Sequence, residues 1–391
     1  MGATETEDLM PFVDPAYWAN PYPNYAKVQA LTPVYASPAG VHVVTRYDDI
    51  VELIRDDRLS ALELSFGVGD RFHNSVLGQD PPDHTRLRKV FQKWFGRSRV
   101  QQWAADTTQR VNASLDRAAA NGGTLDIFDD YAFPATFGTI SYMFGVSDAA
   151  ALDCRRATYT IGRALAPGAD ESDMEAGEAA LDWYYAYIGG LIREKQANPG
   201  DDLLTTFVQA MDEGVMNEDE VLATMVLLYA VGHLDNSYLM ANGILQLLRE
   251  PALKQRYIDD SSIRLNVIQE LLRHETPEQF VVRAAKEEIA VGDEVIPKGA
   301  VVMLMIGAAN RDPSVFPDPD VFDIDRDNLA KQVAFGGGIH TCIGSALAMA
   351  QGEAAITTLF ERFPDVRLDG DVEFAHTEFL RVIEHMPVRL S

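Results

Sequence analysis

A single cysteine follows a run of three glycines in Phe335-Gly336-Gly337-Gly338-Ile339-His340-Thr341-Cys342-Ile343-Gly344. The apolar spacing after it, at Ile343, Leu347, Ala350, Ala354 and Leu359, predicts a helix that begins at the thiol. A thiolate is the form of cysteine that ligates a metal. It is favoured by a helix N-terminus, by nearby backbone N–H groups and by charge withdrawal to the metal. The glycines leave no Cβ where backbone must approach something flat and bulky, and they permit the positive φ that turns N–H groups toward sulfur. Two plainer readings compete. A phosphate cradle should be followed by Lys-Ser or Lys-Thr, which is absent. A simple strand-to-helix turn would make Cys342 one more small buried residue, as a lone cysteine near glycines usually is.

Other places also combine reactive or charged groups. In Asp80-Pro81-Pro82-Asp83-His84-Thr85-Arg86-Leu87-Arg88, the prolines start a helix and set His84 and Arg88 four apart on one face, where they can hold a carboxylate. A solvated basic face is the plainer reading of that pair. Glu270 and Arg273 stand at i, i+3 on a helix ended by Pro277, a spacing worth only tenths of a kcal/mol at a surface. The longest helical pattern, residues 218–248, carries Gly232, His233, Asp235, Asn236 and Ser237 at its centre. Glycine there costs up to about 1 kcal/mol against alanine, and buried polar groups need partners or a function.

The pattern Phe-Gly-x-Gly-x-His-x-Cys-x-Gly is far more specific than either plain reading of the cysteine loop, and residues 335–344 match each of its defined positions. Here the sequence resembles the cytochrome P-450 family of haem-thiolate monooxygenases. The resemblance implies that Cys342 is the axial ligand of the iron of haem b, donating electron density to it. It implies that Phe335 packs beside the ligand loop and that His340 bonds a haem propionate. His84 and Arg88 carry over as partners of a propionate, and Arg283, ending Gln279-Phe280-Val281-Val282, as the partner of the second. Glu270, Arg273 and Arg326 match the cluster that locks the ligand loop in place. The distal helix of the family has small-Gly-x-acid-Thr, a proton relay toward the iron. Alignment on Gly232 places Leu234 at the acid and Asp235 at the threonine. This departure leaves Asp235 and Asn236, beside Gly232, as candidates for a substitute relay or for gripping substrate.

The elements that must position these groups can be read in order. Val34-Tyr35 and Val41-His42-Val43-Val44 predict a small hairpin turned by Pro38-Ala39-Gly40, and Asp48-Asp49 a cap on the helix that follows it. About twenty residues after Arg58 lack periodicity, a length that is often functional. Their Leu62, Leu64, Phe66, Val68 and Phe72 could lid a pocket or simply tuck down. Helices follow over 104–120, 135–144, 151–165 and 176–192, with Pro167-Gly168 parting the last two. Strands are expected over 291–299 and 301–306, and an extended hairpin over 373–388 with Phe379 and Leu380 as pocket residues.

The chain of 391 residues shows no linker, repeat or low-complexity tract, so one mainly α domain with a small β region, spanning 1–391, is expected. Its 47% apolar composition suffices for a large core, and its charge of −26 disfavours nucleic acid and anionic membrane surfaces. Two cysteines are too few for a secreted disulfide framework. The acidic start and the short longest apolar run argue for a cytoplasmic protein without a membrane span. Against the net charge, Arg86, Lys89, Lys93, Arg97 and Arg99 form a basic island suited to steering an acidic partner.

The resemblance implies oxidation of a small, largely apolar organic molecule, by hydroxylation or epoxidation, using O2 and electrons from a separate ferredoxin with its reductase. Secondary metabolism is the expected setting. Radical coupling or ring formation is the alternative that Leu234 raises. A haem protein that senses a ligand without turnover is a further one, which the basic island disfavours. A helical scaffold without haem would leave the separated motifs unexplained.

Overall fold

The computed structural model describes residues 8–64, 67–166, 168–376 and 381–390. Helices dominate, and the helix Glu218–Arg249 runs through their centre. Its N-terminus is set by a reciprocal pair. Asn217 accepts from the Glu220 backbone N–H, and the Glu220 carboxylate accepts from that of Asn217. Glu218, Asp219 and Glu220 in the first turn add favourable charge at the positive helix end. Buried residues occur on every face of this helix, as expected of one surrounded by others. It packs on Phe133–Phe144, on Arg264–His274 and on Ser345–Arg362, and the last of these also lies along Arg97–Ala120. Ala151–Leu165 and Glu171–Ala197 form an antiparallel pair beside it.

The main sheet has five short strands in the order Tyr35–Ala36, Val41–Val44, Val301–Leu304, Val281–Ala285, Leu59–Ser60. Val41–Val44 runs parallel to Val301–Leu304, and the other pairings are antiparallel. Arg283 is thereby held opposite Val302. Apolar clusters cover both faces, one around Val44, Val302 and Leu304, the other around Val43, Phe280 and Met303.

Three expectations are adjusted by tertiary contacts. Asp48 and Asp49 do not cap their helix; they sit in its first turn after Arg46. The carboxylate of distant Asp312 instead accepts from Tyr47 N at 2.8 Å. Residues 291–299 form a tight hairpin, Ile289–Val291 with Glu294–Ile296, turned at Gly292. Val301–Leu304 stops short of Ile306, which begins a helical turn, Ile306–Ala309. In the aperiodic segment, Leu64, Val68 and Val76 are buried and Leu62 is exposed. That segment is mostly tucked down where it is described, and Phe66 lies outside the described residues. The C-terminal hairpin pairs Glu373–His376 with Arg381–His385. Phe379 and Leu380 also lie outside the described residues.

Candidate haem-thiolate site

The cysteine loop closes on itself, with Cys342 N donating to Phe335 O at 2.9 Å. Gly336 and Gly338 take φ of +67° and +65°, the left-handed region that favours glycine. At Gly338 a Cβ would lie 2.7 Å from the Ile54 carbonyl oxygen, so the loop also needs hydrogen there for clearance. Phe335 packs half-buried against the main core. The helix expected at the thiol begins three residues later, as Ser345–Arg362. The turn between aims the Gly344 and Ser345 N–H groups at the sulfur. Cys342 is solvent-accessible and free, as is the buried Cys154, so the two form no bridge. Yet enclosure by protein is the first influence on the Cys342 thiol, raising its pKa, ahead of lowering by the Gly344 N–H, raising by Asp235 and lowering by Arg88. A thiol both accessible and enclosed lines a deep cleft.

Basic groups gather at this cleft, and the nearby carboxylate of Asp80, which acts on His84 and Arg283, offsets only part of the effect of burial on them. His84 is buried and neither of its ring nitrogens has a hydrogen-bond partner. Its ring meets that of His340 edge-on, with centroids 4.5 Å apart. Arg88 donates to the Thr341 carbonyl, one residue before the cysteine, at 2.6 Å. Buried Arg283 donates to the Val282 carbonyl at 2.7 Å. Neither arginine makes an ion pair with a described residue. Burial lowers the pKa of His84, Arg88 and Arg283, and nearby Arg88 lowers His84 further. His340 is pushed down to about 3, by burial first and then by Arg283, His84 and Arg88. Four cationic or donor groups held together at such cost fit a ligand that brings negative charge, and the two carboxylates of a haem would supply it.

Behind the loop, Glu270 and Arg273 are fully buried and form a two-pronged pair at 2.6 and 2.7 Å. Arg273 also donates to the carbonyls of Asn310, Pro319 and Val321. Arg326 reaches Glu270 at 3.3 Å and donates to the carbonyls of Pro317, Asp318 and Val321. The i, i+3 pair is therefore not a surface pair. It ties the irregular chain before the cysteine loop to the helix Arg264–His274.

On the central helix only one of the three candidate residues faces the cleft. Gly232 faces Phe133–Phe144, where a Cβ would come 2.9 Å from Ile140 Cδ1. Asn236 is buried and donates to Gln351 Oε1 at 2.6 Å, and Gln351 in turn donates to Thr107. Ser237 donates to the His233 carbonyl and contacts Thr136. Leu234 is buried. Asp235 has no hydrogen bond or ion pair with a described residue, is half-exposed, and acts electrostatically on the Cys342 thiol across the cleft. Burial raises its carboxyl pKa. A second acid shares these traits. Glu278 is half-exposed, and its pKa is raised by burial and then by Asp235. The signal for it was an acid after Pro277, five residues before Arg283, where the resembling family lines its pocket with apolar residues.

An accessible thiol cradled by N–H groups, beside a buried basic cluster, fits the class of haem-thiolate proteins. Residues 265–379 match the family described as Cytochrome P450. The chain is 34% identical to cytochrome P450 107B1 of Saccharopolyspora erythraea, over 100% of this chain and 99% of that protein. It is 32% identical to the 6-deoxyerythronolide B hydroxylase of the same organism, over 96% of each. Among solved structures it resembles P450BioI in complex with an acyl carrier protein bearing hexadec-9Z-enoic acid, with TM-score 0.89, 27% identity and coverage of 96% and 99%. It also resembles epothilone B-bound P450epoK, with TM-score 0.87, 28% identity and coverage of 97% and 99%. The chain belongs to the cytochrome P450 family. It is a haem-dependent oxidoreductase of the monooxygenase type, acting on a small molecule with O2 and electrons from redox partners. No helix among the described residues is long and apolar enough to cross a membrane.

Proposed function

We propose that this chain, as one domain over residues 1–391, binds haem b through Cys342 and hydroxylates or epoxidises a small organic molecule of secondary metabolism in the cytoplasm. The observation that carries the reading is the accessible thiol beside a buried basic cluster that makes no ion pair with a described residue. The names of the 6-deoxyerythronolide B hydroxylase and of the epothilone B-bound relative support the metabolic setting. Held by Cys342, the haem would supply the activation of O2. His84, Arg88, Arg283 and His340 hold its carboxylates, and Phe335 supports the loop. Asp235, where Leu234 has no proton to give, carries protons on the distal side. Gly232 and Asn236 act by seating the helix against Ile140 and Gln351, which sets the direction in which Asp235 points.

Charge-assisted bonds to the propionates are worth roughly 1.5–3 kcal/mol each. Replacing Arg88 and Arg283 together by Gln is expected to weaken haem retention at least about a hundredfold, at about tenfold per 1.4 kcal/mol. Transfer of haem to an excess of apomyoglobin measures this. Lysine at either position is expected to rescue only partly, because a planar fork becomes a point charge. Unchanged transfer in the double variant would remove the propionate assignment.

The electron donor is proposed to be an acidic ferredoxin with its reductase. In the basic island Arg86 is already committed to Asp83 and Glu220, at 2.7 and 2.6 Å. Arg99 lies over Trp94 and pairs with Asp201. Lys89, Lys93 and Arg97 are exposed and make no ion pair with a described residue. They lie on or just beyond the helix Asp83–Phe91 that also carries Arg88 to the cysteine loop. Reduction by a [2Fe–2S] ferredoxin, followed by stopped flow, should slow steeply as the Debye length falls below about 10 Å. Charge reversal at the three positions should slow it about tenfold or more at low salt. Reduction that ignores both salt and charge reversal would refute the docking surface.

A second reading is favoured by one observation, the buried and aprotic Leu234 at the place of the family's acid. Radical coupling or ring closure needs less distal proton delivery. Isotopically labelled O2 separates the two, since label enters the product only in hydroxylation or epoxidation.

A further inference from the structure

One chain of buried side-chain hydrogen bonds joins four helices. Asn236 Nδ2 on the central helix donates to Gln351 Oε1 at 2.6 Å, and Gln351 Nε2 on Ser345–Arg362 donates to Thr107 Oγ1 at 2.8 Å. Thr107, on Arg97–Ala120, lies 3.1 Å from the hydroxyl of Thr139 on Phe133–Phe144. Thr139 donates at 2.8 Å to the carboxylate of Asp106, which pairs with Arg110 at 2.7 Å. Arg110 lies so near the backbone of Phe133–Phe144 that a Cβ at Gly138 would come 2.1 Å from its Nη1. Asn236, Gln351, Thr107 and Thr139 are all buried.

The direction of the chain follows from its far end. A carboxylate only accepts, so Thr139 spends its one proton on Asp106. Thr107 shares its own between the Trp103 carbonyl, at 3.0 Å, and Thr139. Only acceptor capacity is left for Gln351, which must turn its nitrogen to Thr107 and its oxygen to Asn236. Neither amide can turn over without setting donor against donor or acceptor against acceptor. Asn236 keeps this sense even though its Oδ1 is left buried without a partner among the described residues. A carboxamide keeps its protons on nitrogen, so the chain holds parts in place rather than conducting protons.

The two helices tied by Asn236 and Gln351 both belong to the site. Ser345–Arg362 follows the cysteine loop and turns the Ser345 N–H to the sulfur. The central helix is 49% exposed at Val231, and half-exposed Leu228 and Asp235, three before and four after it, share that open face. Asn236 stands next to Asp235, about 100° round the helix. Farther along, the same two helices touch through small residues. A Cβ at Gly352 would come 3.2 Å from Leu239, and one at Gly243 2.5 Å from Ile356. Those apolar contacts set the distance between the helices, whereas the Asn236–Gln351 bond is directional and sets their rotation.

Resting on the reading of Cys342 as the haem ligand, we propose that Gln351 is a positioning residue for the oxidation. Through Asn236 it fixes the rotation of the central helix relative to the cysteine loop, and so the shape of the open face at Leu228, Val231 and Asp235 that a ligand of the iron meets. Asp106 and Arg110 hold the far end of the chain.

The test uses the holoprotein and two probes, methyl isocyanide and tert-butyl isocyanide, which bind ferrous iron and differ only in bulk. Their affinities are read from the Soret shift. A wall held in one place discriminates between them. In Gln351→Leu, which can make neither bond, the ratio of affinities is expected to shift about fivefold or more toward the bulky probe. Gln351→Glu keeps the shape and the acceptor for Asn236, and Thr107 can turn its hydroxyl to the new carboxylate, so this ratio should stay within about twofold of the wild type. Asn236→Ala should match Gln351→Leu, and the two together should do no more than either alone. Because Asn236→Ala removes the same bond from the other end, it carries the comparison should Gln351→Leu not fold. A chain that served stability alone would lower the unfolding midpoint in these variants and leave the ratio unchanged, which would overturn the inference. Additive effects of the two substitutions would overturn it too. The red-shifted CO band of the wild type checks the ligand separately: its absence would bring down the proposed function and this inference with it, whereas an unchanged ratio with the band present would bring down the inference alone.

Discussion

Cys342→Ala is expected to abolish the red-shifted Soret band of the ferrous–CO complex and all turnover. The sulfur is the only group of the cysteine loop aimed into the cleft with two backbone N–H groups on it. Alanine leaves those N–H groups and the basic cluster in place, so haem can still enter through its carboxylates while axial thiolate donation is lost. The expected variant therefore has haem content reduced but measurable, a CO band at the position of a protein without thiolate ligation, and no product. Cys342→Ser tests the same point with a smaller change of shape. Because Cys342 sits in a loop and its side chain is accessible, the fold should melt within a few degrees of the wild type before haem is added. Retention of the red-shifted band in Cys342→Ala would show that another group is the ligand.

Glu270→Ala is expected to be the most destabilising single substitution in the chain. Glu270 and Arg273 are each 0% exposed, so removing the acid leaves an arginine buried beside carbonyl groups with its charge uncompensated. Breaking such a pair costs about 3–5 kcal/mol, against a total stability of about 5–15 kcal/mol. Arg326 loses the same acceptor, and its bonds to Pro317, Asp318 and Val321 lose their anchor. The loss should extend to the cysteine loop, so haem incorporation should fall together with the denaturation midpoint. Arg273→Lys should recover part of the stability but not all, since one ammonium cannot replace both prongs at 2.6 and 2.7 Å. Urea unfolding of the two variants measures this. A midpoint for Glu270→Ala within error of wild type would contradict the assigned role.

These two substitutions differ in what they remove, which makes them informative together. One takes away a ligand from an intact scaffold. The other takes away the scaffold behind an intact ligand. A Cys342 variant that unfolded, or a Glu270 variant that folded normally without haem, would exchange the roles assigned to them.

The cysteine loop was legible in the residues themselves because glycine, histidine and cysteine at those spacings are tied to one backbone path, a local property of ten consecutive residues. The same holds for the central helix, whose acidic first turn and capping pair are local. The basic groups His84, Arg88, Arg283 and His340 were legible through the resemblance, and the structure gathers them at one cleft. Their burial and their lack of ion pairs with described residues depend on which side chains surround them, and that is a matter of packing. On the central helix the sequence shows three polar residues in a row, Asp235, Asn236 and Ser237, about 100° apart in azimuth, but no period tells which azimuth faces the cleft. Contacts with Ile140 and Gln351 decide it, turning Gly232 and Asn236 to neighbouring helices and leaving Asp235 on the cleft side. The sequence by itself determined the family and the cysteine loop, and the resemblance it carries singled out the basic residues. Only the tertiary structure decided that Arg86 is spent on Glu220 and that Glu270 is buried, because each depends on contacts between segments far apart in the chain.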